Sequence, residues 1–189
     1  MSLLKNRVGR KVVEQVTVKK VKTGVGHDLC GAYCDFYLNG KKMGYMNDDG
    51  YGGEVDIVYV SKNAKETFES FLTENNVADL LFKNGWKFMK SADKIDIHTQ
   101  AQCVIDDSIN LWEEAKTLKK ITKRTEKAIV FGTTQSYREL SWKKITLAEL
   151  LKYKNGLQSL QNAYDEAKKE LKKGEKIFNT NLQKLGVKL

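Results

Sequence analysis

The chain has 189 residues, 41% of them hydrophobic, and 33 basic against 24 acidic side chains give a formal net charge of +9. That apolar content excludes a disordered chain, and no run approaches the roughly 18 consecutive apolar residues of a membrane-crossing helix. The first ten residues, Met1 to Arg10, lack the apolar stretch of a secretory signal, and three cysteines without a closed pairing suit a reducing compartment, so a cytoplasmic location is expected.

The charge is unevenly distributed. Residues 1–22 hold seven basic groups and one acid, and residues 143–189 hold eleven lysines and five acids, so both ends are +6 and the stretch between them is −3. Within that stretch, Asp28 to Asp56 has six acids against two lysines. Basic surfaces attract polyanions through their summed field, although a lysine-rich surface is also an ordinary solubility device.

In chain order, Met1 to Arg10 is a basic lead-in. From Val16 the residues alternate to Lys22, the period of a strand. Gly24 and Gly26 mark a turn over Thr23 to Asp28. Cys30 to Leu38 is the next predicted strand, with Cys30, Ala32, Cys34, Phe36 and Leu38 on a core face and Gly31, Tyr33, Asp35 and Tyr37 on the other. Asn39-Gly40 then separates this run from Lys41 to Asn47. Both central residues of a type I′ turn need positive φ, which Asn and Gly tolerate, so the spacing predicts a two-residue hairpin. Asn47 to Gly53, rich in glycine, predicts a tight irregular loop, and Glu54 to Val60 alternates again with Val55, Ile57 and Tyr59 on one face.

Ser61 to Asn76 reads as a helix with Phe68, Phe71 and Leu72 inward and a capping box of Asn63 with Glu66. Val77 to Phe82 is a second short helix closed by Asn84-Gly85, and Trp86 to Met89 a short apolar piece. Ile97, Ala101, Val104, Ser108, Leu111, Ala115, Leu118, Thr122 and Thr125 recur at 4-3 spacing, which predicts a helix of about 30 residues, roughly 45 Å long. Ala128–Phe131 and Tyr137–Trp142 flank Gly132-Thr133-Thr134-Gln135 as a second hairpin. Thr146 and Glu149 form a capping box, and Leu150, Tyr153, Leu157, Leu160, Tyr164, Ala167, Leu171, Gly174 and Phe178 follow as a heptad seam. That seam can face the 97–125 helix or a second copy of the chain. The short hairpin between the helices favours an antiparallel fold-back, with a homodimer through the Leu150–Phe178 seam as the other outcome. The expected class is α+β: an N-terminal antiparallel meander with short helices over residues 1–90, then a long helical pair with an intervening hairpin over 91–189, the two parts together forming one compact unit.

The hairpin and its loop carry a resemblance. Asn39-Gly40-Lys41, then Asn47 and Asp49-Gly50-Tyr51-Gly52-Gly53, resemble a group of small uncharacterised phage and bacterial proteins in which Asn-Asp-Gly-x-Gly-Gly follows a hairpin strand; this chain inserts one extra Asp before Gly50. The resemblance covers the first half of the chain. It implies a phage or mobile-element source in a bacterial cytoplasm and brings no activity, cofactor or catalytic residue with it.

Several constellations are candidates for chemistry. Asp48, Asp49, Glu54 and Asp56 surround the glycine loop and could offer oxygen ligands to Ca²⁺ or Mg²⁺, but the EF-hand spacing is absent, and an exposed acidic loop is the simpler expectation. Phosphate binding there lacks a P-loop or Rossmann pattern, and the acids would repel an anion. His27, Cys30 and Cys34 have zinc-like spacing, with Cys103 or His98 as the remaining source of nitrogen or sulfur; a buried thiol on the core face fits Cys34 better. A Cys34–His27 nucleophile pair has no supporting signature, and Asp106 and Asp107, adjacent on a helix, face different ways.

For nucleic acid, the basic residues Arg7, Arg10, Lys11, Arg138, Lys143 and Lys144, with rings at Tyr137, Trp142 and Tyr153, combine cations with stacking surfaces. Lys168, Lys172 and Lys176 form a predicted ridge at i, i+4 spacing that can follow phosphates or a partner's acidic surface. With no assembled catalytic group, the leading expectation is a non-enzymatic protein that acts stoichiometrically on a host protein or nucleoprotein, as an inhibitor or accessory factor such as a counter-defence protein. Asp48, Asp49, Tyr51, Glu54, Asp56 and the three ridge lysines would be its contacts. Direct nucleic-acid binding and a metal-dependent enzyme at the acidic loop are the alternatives. No cofactor is expected.

Overall fold

The computed structural model describes residues 8–25, 29–85 and 91–189. It is an α+β fold in two compact units, Met1–Trp112 and Glu113–Leu189. No described helix is long and apolar enough to cross a membrane.

The first unit opens with α1 (Arg10–Val13), followed by strands β1 (Val16–Val25), β2 (Gly31–Leu38), β3 (Lys41–Asp48) and β4 (Asp56–Tyr59). They pair in sequence order as an antiparallel sheet, β1-β2-β3-β4. The meander follows from the turn chemistry. Asn39 and Gly40 both take positive φ, 48° and 83°, which is the backbone a two-residue hairpin requires. Helices α2 (Lys62–Glu74) and α3 (Val77–Asn84) come next, and α4 (Ile97–Arg124) begins in this unit. Cys34, Phe36 and Met46 from the sheet, Phe68, Phe71 and Leu72 from α2, Leu81 from α3, and Val104 and Ile105 from α4 share one buried cluster. Phe36 and Phe68 meet with ring centroids 5.1 Å apart.

Two details differ from the sequence expectation. The α2 cap is Ser61, whose side chain accepts from the Ala64 N–H, and not Asn63; the hydroxyl two residues earlier reaches the amide of the third helical residue. Cys30 precedes β2 and is exposed, whereas Cys34, Phe36 and Leu38 are buried as expected. The Trp86–Met89 piece lies outside the described residues.

The second unit contains the end of α4, β5 (Ala128–Gly132), β6 (Tyr137–Ser141), α5 (Leu147–Leu150), α6 (Gly156–Glu170) and β7 (Lys176–Ile177). Its sheet has the order β6-β5-β7, with all pairs antiparallel and β5 buried along its whole length. Asn179 ties it together: its Oδ1 accepts from Val130 N–H at 2.8 Å, and its Nδ2 donates to the carbonyls of Thr125 and Ala128 at 3.1 and 2.8 Å.

The predicted second long helix is divided here. Thr146 and Glu149 do form the reciprocal capping box, but α5 closes after one turn, at Leu150. The chain bends through Leu151–Asn155 and restarts at Gly156, where any Cβ would collide with the Leu150 carbonyl oxygen. Helix α6 ends at Glu170, and Gly174, at φ 87°, turns the chain into β7. Leu150, Leu160, Tyr164 and Ala167 cover Ile129 and Phe131 of β5, while Phe178 packs beside Ile121, Ala128 and Val130. The seam is therefore covered within its own unit. Tyr153 and Leu157, which it was expected to bury, are exposed. A continuous apolar face for a coiled-coil partner or a homodimer is absent from the described residues.

Candidate nucleic-acid interface

One face of the four-stranded sheet meets the helices, and strand alternation sends the other residues of β1–β4 to the opposite face. The pairing register arranges that outer face in three rows. Thr17, Tyr37 and Lys42 form the first; Lys19, Asp35, Tyr45 and Val58 the second; Lys22, Tyr33, Asn47 and Asp56 the third. Tyr45 and Val58 are exposed, and Tyr33 and Tyr37 are half-buried. The Tyr33 and Tyr45 rings lie 6.0 Å apart at an interplanar angle of 30°, and the Lys19 ammonium sits 4.5 Å over the Tyr37 ring.

Asp35 lies at the centre of this face, yet the residue is only 1% exposed. Lys42 Nζ lies 2.9 Å from Oδ1, and Lys20 Nζ lies 3.0 Å from Oδ2. Both lysines are delivered by irregularities in the ladder. In β1 the register shifts between Lys19 and Lys22, with Lys20 at φ 54°. In β3 it shifts between the partners of Phe36 and Tyr37, which makes Met43 the extra residue. A bulge inserts one residue and re-aims its neighbours, and these two bulges point a lysine from either side at the same carboxylate. The Lys42 hydrogen bond holds the Asp35 carboxyl below the usual carboxylate range against the opposing effect of burial, and Lys20 adds to it. The same contact raises the Lys20 ammonium.

The result is a sheet surface with three tyrosine rings and four lysines, Lys19, Lys20, Lys22 and Lys42, against the carboxylates of Asp35 and Asp56. Aromatic rings accept stacked bases of any sequence, and ammonium groups beside them meet the phosphates that link those bases. Alternation along β2 alone puts Tyr33, Asp35 and Tyr37 on one face. Tyr45 and the lysines join them only through the cross-strand register.

The sites expected from sequence fare differently. Asp48 accepts from Gly50 N–H and Asp49 from Tyr51 N–H, each at 2.9 Å, so both carboxylates fold back on their own loop. Tyr51 is 73% exposed at the loop tip. His98 Nε2 lies 2.9 Å from the Val55 carbonyl and 4.0 Å from Glu54 Oε1, tethering the loop's exit to the start of α4. Asp56 is on the sheet face described above. Among the described residues no three His, Cys, Asp or Glu side chains come together as metal ligands, so Asp48, Asp49, Glu54 and Asp56 do not converge.

Arg7 and His27 lie outside the described residues. Arg10 pairs with Glu14 at 2.7 Å, and Lys11 beside it is exposed. Arg138 is fully engaged inside its unit. It donates to Glu170 at 3.1 Å and Glu175 at 2.6 Å, and its guanidinium lies 4.5 Å over the Phe131 ring. These contacts staple the end of α6 to the sheet. Lys168, Lys172 and Lys176 do not form a helical ridge, because α6 stops at Glu170 and Lys176 belongs to β7. Lys168 and Lys176 rest over Tyr164 and Phe178 of their own unit. Lys143 and Lys144 are exposed. The Cys34 thiol is buried and pushed up to about 12, chiefly by desolvation, which suits core packing and not nucleophilic attack. Asp107 is buried and accepts the Val8 N–H at 3.1 Å, anchoring the start of the described chain.

The chain matches no protein-family model, no curated protein and no solved structure.

Proposed function

We propose that this protein acts by stoichiometric binding, and that the outer face of its four-stranded sheet takes single-stranded nucleic acid. The observation that carries this reading is the interleaving of Tyr33, Tyr37 and Tyr45 with Lys19, Lys20, Lys22 and Lys42 on one open sheet surface. Tyrosines distributed over two neighbouring strands offer more than one base a ring, and a positive surround supplies the salt-sensitive part of the affinity. Asp35 sits beneath the surface as a fixed counter-charge that holds Lys20 and Lys42 in place.

Fluorescence anisotropy with labelled single-stranded oligonucleotides tests the reading. Binding should weaken as salt rises and should weaken further in Tyr45→Ala. Affinity unchanged by Tyr45→Ala and by Lys19→Gln/Lys22→Gln together would remove the sheet face from consideration.

A second reading is favoured by the acidic loop. Tyr51 stands exposed among Asp48, Asp49 and Glu54 on a loop stiffened by its own hydrogen bonds, which suits a basic protein surface. In that reading the chain is a phage- or mobile-element-encoded inhibitor of a nucleoprotein in the bacterial cytoplasm. Capture of a partner from host lysate that persists after nuclease treatment and is lost in Tyr51→Ala would favour it.

A further inference from the structure

The two units differ sharply in charge. Residues 1–112 hold 15 basic and 15 acidic side chains, whereas residues 113–189 hold 18 basic and 9 acidic, so the second unit carries the whole net charge of the protein. Part of that excess gathers around α5. Trp142 O accepts the Ile145 N–H, and Glu126 O accepts the Leu147 N–H, which brings Lys127 and the Lys143-Lys144 turn to the start of the helix. Lys152 N–H donates to Glu149 O, and Tyr153 N–H to Leu150 O, which folds Lys152, Tyr153 and Lys154 back over its end. Lys127, Lys143, Lys144, Lys152 and Lys154 are all exposed, and Tyr153 is 61% exposed between the last two.

Glu149 is the carboxylate of this helix, and it is already occupied. It accepts from Thr146 N–H at 2.7 Å and from Thr146 Oγ1 at 2.9 Å in the capping box. Those hydrogen bonds, the backbone one first, hold its carboxyl below its usual range. The lysines therefore surround a capped helix, with a solvent-facing ring among them.

We infer that the α5 surface of the second unit is a separate nucleic-acid contact that takes the phosphodiester backbone without reading bases. This rests on the nucleic-acid reading above but uses different residues and a different chemistry. The sheet face offers rings to unstacked bases, so it prefers single strands. The α5 surface offers point charges to phosphates, which a duplex presents at higher density than a single strand.

The test uses the full chain with a blunt-ended DNA duplex and a single strand as separate probes, each titrated over a range of salt. Lys143→Gln/Lys144→Gln/Lys152→Gln, all exposed positions, should weaken duplex binding. The triple change should also flatten the dependence of log K on log salt by about 0.9 for each phosphate that is no longer neutralised. Tyr45→Ala should leave the duplex slope unchanged while weakening the single strand. Duplex binding that survives the triple change with the same slope overturns the α5 surface as a phosphate site. Duplex binding abolished by Tyr45→Ala overturns it also, because both probes would then use the sheet. If neither probe binds, both readings fall; if the single strand alone binds, only the α5 inference falls.

Discussion

The carboxylate of Asp35 receives the Lys42 ammonium at 2.9 Å on one oxygen, and Lys20 completes the arrangement on the other at 3.0 Å. Asp35 is buried, but the two lysine side chains are 38% and 71% exposed. Breaking a fully buried pair costs about 3–5 kcal/mol, whereas exposed partners are screened, so Asp35→Asn should destabilise by about 1–3 kcal/mol. The pH dependence follows from the direction of the shift. The folded-state value of Asp35 is lowered, so its contribution is present above the unfolded value near ~3.9 and is lost as pH falls through the lower folded value. Denaturant melts from pH 7 down to pH 2 should show wild type losing stability below about pH 4 more steeply than Asp35→Asn. Parallel curves would show that the pair makes no such contribution.

Gly44 has a packing reason to be glycine. A Cβ there would collide with the Val58 carbonyl oxygen and lie 2.9 Å from the Phe36 ring. Backbone on one side and a core aromatic on the other leave little to move. Gly44→Ala should destabilise by about 1–3 kcal/mol in urea melts, the range for overpacking. Gly53→Ala has open space around the added carbon and should be neutral or slightly stabilising, which makes it the control.

Asn179 satisfies Val130 N–H and the carbonyls of Thr125 and Ala128 at once. Asn179→Ala removes all three bonds from half-buried backbone, for an expected loss of about 2–3 kcal/mol. Hydrogen exchange should show the Val130 amide losing protection first. Equal protection in the two proteins would contradict the role.

Tyr45 and Tyr51 separate the two functional readings. Stacking on one ring contributes about 1–3 kcal/mol per base, so Tyr45→Ala should weaken single-strand binding by about five-fold or more. Tyr45→Phe keeps the ring and should restore most of it. Tyr51→Ala should leave that affinity unchanged, since the loop is acidic.

Thiol accessibility checks the placement of the cysteines. Cys30 is exposed, and Cys34 and Cys103 are buried. A disulfide reagent should modify about one thiol in the folded protein at neutral pH, with Cys30→Ser abolishing that reaction, because both buried thiols are shielded. Rapid modification of Cys34 would contradict its buried placement.

Much of the fold is written locally. Asn39-Gly40 set the hairpin because few other residue pairs tolerate two positive φ values in succession. The 4-3 spacing from Ile97 set a helix that runs 28 residues, and Thr146 with Glu149 set a cap that forms as read. Each of these is decided by residues within one turn or one strand of each other, where sequence distance and spatial distance coincide.

The candidate site was legible only in part, as Tyr33, Asp35 and Tyr37 on one side of β2. Tyr45 and the lysines joined it through register, and register depended on two bulges that no local pattern announced. The same limit explains the divided seam. Periodicity from Leu150 to Phe178 marked which side chains are apolar, but not what would cover them. β5 covered most of them, Gly156 and Gly174 allowed the chain to bend around it, and Tyr153 and Leu157 were left outside. Arg138 looked like a free cation beside a ring until Glu170 and Glu175, more than 30 residues away, closed on it. The sequence by itself determined the turns, the caps and the apolar faces, because these are short-range steric and hydrogen-bonding preferences. The tertiary structure decided which charges are neutralised and which rings face water, because burial and ion pairing depend on residues far apart in the chain.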